Sequence, residues 1–117
     1  MFTLRMLAAG LIAAAVCAGQ NPVVGRWSCT NVPDTGEQRS WTLLIRQDGT
    51  LLTGSLTDGD VEIALTDVKA EGGSLRFRFA VNDKPYTFEG KVEQQTLAGR
   101  YSGEEASGKL TCAKPAS

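Results

Sequence analysis

Residues 74–103 read SLRFRFAVNDKPYTFEGKVEQQTLAGRYSG. Apolar and polar residues alternate along this stretch with a period of two, as in strands with one buried face. Asn82-Asp83 interrupts the alternation with residues that tolerate positive φ, which a two-residue type I′ turn requires at both central positions. Folding about that pair sets Phe79 opposite Tyr86 and Phe77 opposite Phe88. Gln94-Gln95 stands at the next turn interval with poorer turn chemistry. A fold there sets Val92 against Leu97, Gly90 against Gly99 and Phe88 against Tyr101. Each pairing joins inward side chain to inward side chain, so one parity runs through three strands.

The same parity extends toward both termini. Asp48-Gly49 and Asp58-Gly59, each between alternating apolar runs, are the strongest hairpin signals in the chain, and Gly72-Gly73 fits the same geometry. Turning on Asp48-Gly49 sets Ile45 opposite Leu52, Leu43 opposite Gly54 and Trp41 opposite Leu56. Turning on Asp58-Gly59 sets Leu56 opposite Val61, Gly54 opposite Ile63 and Leu52 opposite Leu65. The parity breaks once, between Leu65 and Val68, where a bulge at Thr66-Asp67 restores the phase. The pattern predicts an all-β, eight-stranded antiparallel up-and-down meander, with strands near 24–31, 38–47, 50–57, 60–71, 74–81, 84–93, 96–103 and 108–114. Closing it into a small barrel removes the two exposed edges that an open meander would leave. Cys29 shares the parity of Trp27 and Cys112 that of Leu110, so neighbouring first and last strands bring both sulfurs inward to meet.

The 117 residues allow one domain, and 12 Lys+Arg against 13 Asp+Glu leave no basic footprint for nucleic acid. The chain has no His, which removes Ser-His and Cys-His nucleophiles, His-ligated metals and the usual neutral-pH proton shuttle. Residues 1–18 place Arg5 before an apolar run from Met6 to Val16 and then small residues, as a secretory signal peptide does. The run is shorter than the ~20 residues of a transmembrane helix. Cleavage after Ala18 fits the flanking residues. Acylation of Cys17 is the lesser alternative, because Ala14 and Val16 depart from the lipoprotein pattern. Removal of the segment leaves a tail at 19–23, a barrel domain at 24–114, a C-terminal tail at 115–117 and two cysteines in an oxidising compartment. A disulfide between Cys29 and Cys112 would stabilise the domain by about 4–5 kcal/mol in the chain-entropy model.

At Gly25-Arg26-Trp27 the chain resembles the calycins, the superfamily of lipocalins, fatty-acid-binding proteins and avidins. Such up-and-down barrels often open with Gly-X-Trp, and a basic residue late in the chain packs over the indole. The resemblance implies that Lys114 covers Trp27. The short hairpins and the cysteine pair also resemble small secreted bacterial barrels. The lipocalin helix before the C-terminus and the polar cluster with which avidins hold biotin have no counterpart here.

The inward positions carry no charged side chain, which fits an apolar interior and offers no paired buried carboxylates or perturbed Lys for catalysis. Eight strands enclose just enough space to be filled by side chains or to hold one small ligand. The large residues argue for a filled core, whereas Gly54, Gly90 and Gly99 leave wall positions bare. The expectation is a non-enzymatic barrel whose lumen takes a small apolar molecule, with Trp27, Trp41, Phe77, Phe79, Tyr86, Phe88 and Tyr101 as candidate ligand contacts. No cofactor or metal is expected. Asp58, Asp60 and Glu62 read as a soluble hairpin tip, and Asp34-Thr35-Gly36, preceded by Pro33, reads as a loop and not an aspartic-protease motif. On the outer face Arg76, Glu89 and Arg100 form a cross-strand row. The alternative is a secreted protein-interaction module. Small calycin-like barrels that inhibit metalloproteases use an inserting N-terminal tail, to which Gly19-Gln20-Asn21-Pro22 corresponds in kind.

Overall fold

The structure, a computed structural model, describes residues 22–115. Nine strands follow one another: β1 (Gly25–Pro33), β2 (Arg39–Asp48), β3 (Leu51–Asp58), β4 (Val61–Ala64), β5 (Thr66–Glu71), β6 (Ser74–Val81), β7 (Lys84–Glu93), β8 (Thr96–Gly103) and β9 (Ser107–Ala113). All pairings are antiparallel, in the sheet order β4-β3-β2-β1-β9-β8-β7-β6-β5. The first and last strands are therefore neighbours, as the expected closure places them. Cys29 faces Cys112 in the β1–β9 ladder, and the two form a disulfide. The expected export segment at 1–18, including Cys17, lies outside the described residues.

The expected strand at 60–71 is two strands, which corrects eight strands to nine. β4 pairs with β3 and β5 pairs with β6. At the join the Leu65 N–H still donates to the Gly54 carbonyl at 2.9 Å. Asp67 then takes a positive φ of 51°, and the register shifts between Thr66 and Lys69. An extra residue of this kind bends its strand, so the chain leaves β3 and crosses to β6. The bulge was legible in the sequence, but its consequence was not. β4 and β5 end the sheet on its two sides, and the barrel is nearly closed, with a seam where no ladder joins β4 to β6.

The hairpins at Gly72-Gly73, Asn82-Asp83 and Gln94-Gln95 have the expected register, including Phe79↔Tyr86, Phe77↔Phe88, Gly90↔Gly99 and Phe88↔Tyr101. The two Asp-Gly hairpins do not. Asp48 pairs with Leu51 and Asp58 with Val61, so the turns are Gly49-Thr50 and Gly59-Asp60. Of each expected pair only the glycine has positive φ, 66° at Gly49 and 62° at Gly59. That places glycine at the first central position, the type II′ requirement, with aspartate as the last strand residue. Gln47 helps hold the first of these turns, its Nε2 donating to the Gly49 carbonyl at 3.1 Å.

Inward parity survives the correction. Trp27, Leu43, Ile45, Leu56, Leu75, Phe77, Phe88, Leu97 and Leu110 are all essentially without solvent exposure. Val61 is the exception among the expected inward residues, at 58% exposed beside the Gly59-Asp60 turn. The bare walls are covered. A Cβ on Gly54 would meet the Ile45 and Leu65 side chains at 3.1 Å, and one on Gly90 would meet the Phe88 ring at 2.6 Å. These glycines let neighbouring side chains lie against the backbone, so they do not hollow the interior.

Candidate functional site

The barrel ends differ. Where β1 begins, Val23 is buried and its carbonyl accepts a hydrogen bond from Trp27 Nε1 at 2.9 Å. Lys114 Nζ lies 5.1 Å from the Trp27 ring centroid and donates to the Pro22 carbonyl at 2.9 Å. The cation over the indole is the arrangement that the calycin resemblance implied. These groups plug that end, and Phe77, stacked on Phe88 at 4.8 Å, fills the middle of the barrel.

At the other end β2 contributes Trp41, β6 Phe79, β7 Tyr86 and β8 Tyr101. Phe79 stacks on Tyr86 at 5.3 Å, and Trp41 stacks on Tyr101 at 6.3 Å. Edge contacts join Trp41 to Phe79 and Tyr86 to Tyr101 at 6.3 and 6.2 Å, so the four rings form one cluster. Trp41 and Tyr86 are half-buried while Phe79 and Tyr101 are buried. Small residues make this possible. Tyr86 faces Gly103 and Tyr101 faces Gly108, and a Cβ on either glycine would strike the ring or hydroxyl opposite at 2.6 Å. Glycine paired with tyrosine across a strand was a readable signal for ring placement.

Two buried side-chain polar atoms lack partners. Asn31, on the inward face of β1, is 4% exposed, and its Oδ1 accepts no hydrogen bond. Trp41 Nε1 is buried and donates none. Burial pushes the Tyr101 hydroxyl above its ordinary value, and a side-chain hydrogen bond with Asn31 offsets part of that rise. A buried polar group left unpaired costs about 1–3 kcal/mol. The sequence reading passed over Asn31, which stands at an inward position among apolar neighbours.

Four loops surround this mouth. They carry Asp34 and Glu37, Asp58 and Asp60, Asp83, and Glu104 and Glu105. Arg39 and Lys84 are among the bases beside them; Arg39 pairs with Asp58 at 3.3 Å and Lys84 with Glu105. Asp34 accepts from Ser107 Oγ at 2.6 Å and Arg100 Nη2 at 2.7 Å. The Ser107 hydrogen bond, then that of Arg100, hold its carboxyl below the usual carboxylate range. The outer row is thereby modified. Arg76 meets Glu89 at 3.4 Å as expected, but Arg100 turns to Asp34. Among the described residues no group of three or more His, Cys, Asp or Glu is placed to hold a metal ion.

Beside the mouth, at the seam, lies an open depression of about 380 Å³ whose lining includes Ile63, Phe79, Glu62, Arg78 and Pro85. Of the expected ligand contacts, Trp41, Phe79, Tyr86 and Tyr101 come together at the mouth. Trp27, at the plugged end, and Phe77 and Phe88, in the middle of the barrel, have no exposure. Of the tail Gly19-Gln20-Asn21-Pro22, only Pro22 is described, held by Lys114.

No protein-family model matches the chain, and no curated protein matches it in sequence. Solved structures do. A single-residue variant of the fluorescent protein UnaG is 14% identical with a TM-score of 0.53, covering 82% of this chain and 98% of that one. Wild-type UnaG is 13% identical with a TM-score of 0.50, covering 80% and 97%. The shared feature is the fold, a nearly closed antiparallel β-barrel.

Proposed function

We propose that this protein is an exported binding protein that takes a small, largely apolar molecule at the open end of its barrel and does no chemistry on it. One observation carries the reading: four aromatic rings gather at the mouth, and two buried polar atoms, Asn31 Oδ1 and Trp41 Nε1, lack partners. Binding sites combine an apolar lining with a few polar groups in this way, and barrels of this size commonly hold one ligand. The adjoining depression reaches the volume range of such sites and is lined in part by Phe79, which gives the ligand room to enter between β4 and β6. Export rests on the charged, apolar, small-residue order of residues 1–18 and on the cysteine pair.

Two measurements test the reading. Native mass spectrometry of protein purified from its own host should show a bound small molecule and a chain lacking residues 1–18. The two tryptophans supply an internal control in a 1H–15N spectrum. On titration with 2-naphthylmethanol the Trp41 indole N–H should shift saturably while that of Trp27, bonded to Val23, stays in place. Ligand-free protein from the host, together with an unmoved Trp41 signal, would overturn the proposal.

A further inference from the structure

The loops and strand ends around the mouth bear seven carboxylates against four bases, Arg39, Lys84, Arg100, which bonds Asp34, and Lys109, whose charge acts on the same carboxyl. Three of the seven are engaged, Asp58 by Arg39, Glu105 by Lys84 and Asp34 by Arg100. Glu37, Asp60, Asp83 and Glu104 have no ion pair among the described residues. On the outer face of β5 to β9 one cross-strand row runs Lys69, Arg76, Glu89, Arg100 and Lys109. The mouth of a near-neutral chain thus carries an excess of carboxylates beside an aromatic cluster. Such an excess concentrates cations, and aromatic faces attract them.

A buried polar group points the same way. Asn31 is 4% exposed, and its Oδ1 is an acceptor with nothing to accept. A protonated amine offers the donors that such an oxygen needs, whereas a carboxylate offers none and would meet the rim's repulsion. Resting on the binding reading above, we infer that the mouth selects an apolar or aromatic ligand carrying a protonated amine. The amine reaches Asn31 Oδ1 across the ring faces of Trp41 and Tyr101. The apolar body lies against Phe79 and Tyr86.

Three probes of similar shape and different charge decide it: 2-naphthylmethylamine, 2-naphthylmethanol and 2-naphthoate. Each is titrated calorimetrically into the disulfide-bonded protein while the Trp41 indole N–H is followed. The amine should bind about tenfold more tightly than the alcohol at low salt, with the carboxylate weakest. The gap between amine and alcohol should narrow at about 0.5 M salt, where screening shortens to a few ångströms. It should also close toward unity in the quadruple variant Glu37→Gln, Asp60→Asn, Asp83→Asn and Glu104→Gln. Binding of the alcohol with an equal or tighter carboxylate overturns the charge preference and leaves the binding reading standing. If none of the three moves Trp41, both fall.

Discussion

The chain's two tryptophans lie at opposite ends of one barrel and have opposite fates. Trp27 has no solvent exposure, its Nε1 is bonded to Val23 and its ring lies under Lys114. Trp41 is half-buried in a cluster of four rings, and its Nε1 is bonded to nothing. The first end has satisfied polar groups and close packing, which is how a fold maximises stability. The second keeps polar groups unsatisfied among aromatic rings, which lowers stability and makes sense where a ligand supplies the missing partners. Under the proposed binding reading, stability and recognition are separated along the barrel axis.

The most demanding test of that separation is truncation at each end. Trp27→Ala should cost about 3–5 kcal/mol of unfolding free energy in a denaturant titration, as expected for a large ring removed from a packed core. Trp41→Ala should cost about half as much or less, because its ring is already half-exposed. Equal losses would show that both ends are structural and would dissolve the contrast.

A second contrast lies between the two places where the sheet meets itself. The β1–β9 closure is fastened by Cys29–Cys112, spanning 83 residues of sequence, whereas the β4/β5 seam has no covalent tie. Cys29→Ser with Cys112→Ser should destabilise the protein by about 4 kcal/mol, near the chain-entropy value for a loop of this length. In hydrogen exchange, β1 and β9 amides should lose protection first relative to the disulfide-bonded protein, bringing them toward the behaviour of β4. Faster exchange confined to the seam would show that the disulfide does not govern the closure.

Lys114→Ala should weaken the plugged end by only about 1 kcal/mol, through loss of the bond to Pro22 and the cation–π contact. It should leave the Trp41 signal unchanged. The smallest effect belongs to Asp34 on the rim. Its folded carboxyl titrates below 3.8, so the stability it contributes is present above that pH and is lost as pH falls through the lowered value. Ser107→Ala should move its NMR titration upward most, and Arg100→Ala next, in the order of their influence on it.

The sequence carried the fold a long way. Alternation, five turns and one parity break placed the bulge, the partner of each cysteine and every strand but that at 60–71, which is two strands, and the calycin resemblance placed Lys114 over Trp27. The two register errors had a common form. At Asp48-Gly49 and Asp58-Gly59 the turn moved by one residue, which changes every partner by two and leaves each side chain on its original face. A pattern of period two cannot detect such a slip. Gln94-Gln95, with weaker turn chemistry, kept its register because the ladders on both sides fix it, and Gln94 adopts a φ of 55°.

Which residues face inward is a property of strand geometry alone, so the amino-acid order determined it: a greasy interior, charged outer walls and opposed cysteines. Which inward residues become inaccessible depends on where the strands end and what covers them, and only the tertiary structure decided that. Val23 and Lys114, from outside the strands, seal one end. At the other, Asp67 bends its strand from β3 to β6 and opens the seam, while Gly103 and Gly108 let two tyrosines lie back against the wall. Asn31 is legible as inward from its parity, but its lack of a partner follows from the packing of four rings contributed by strands far apart in sequence.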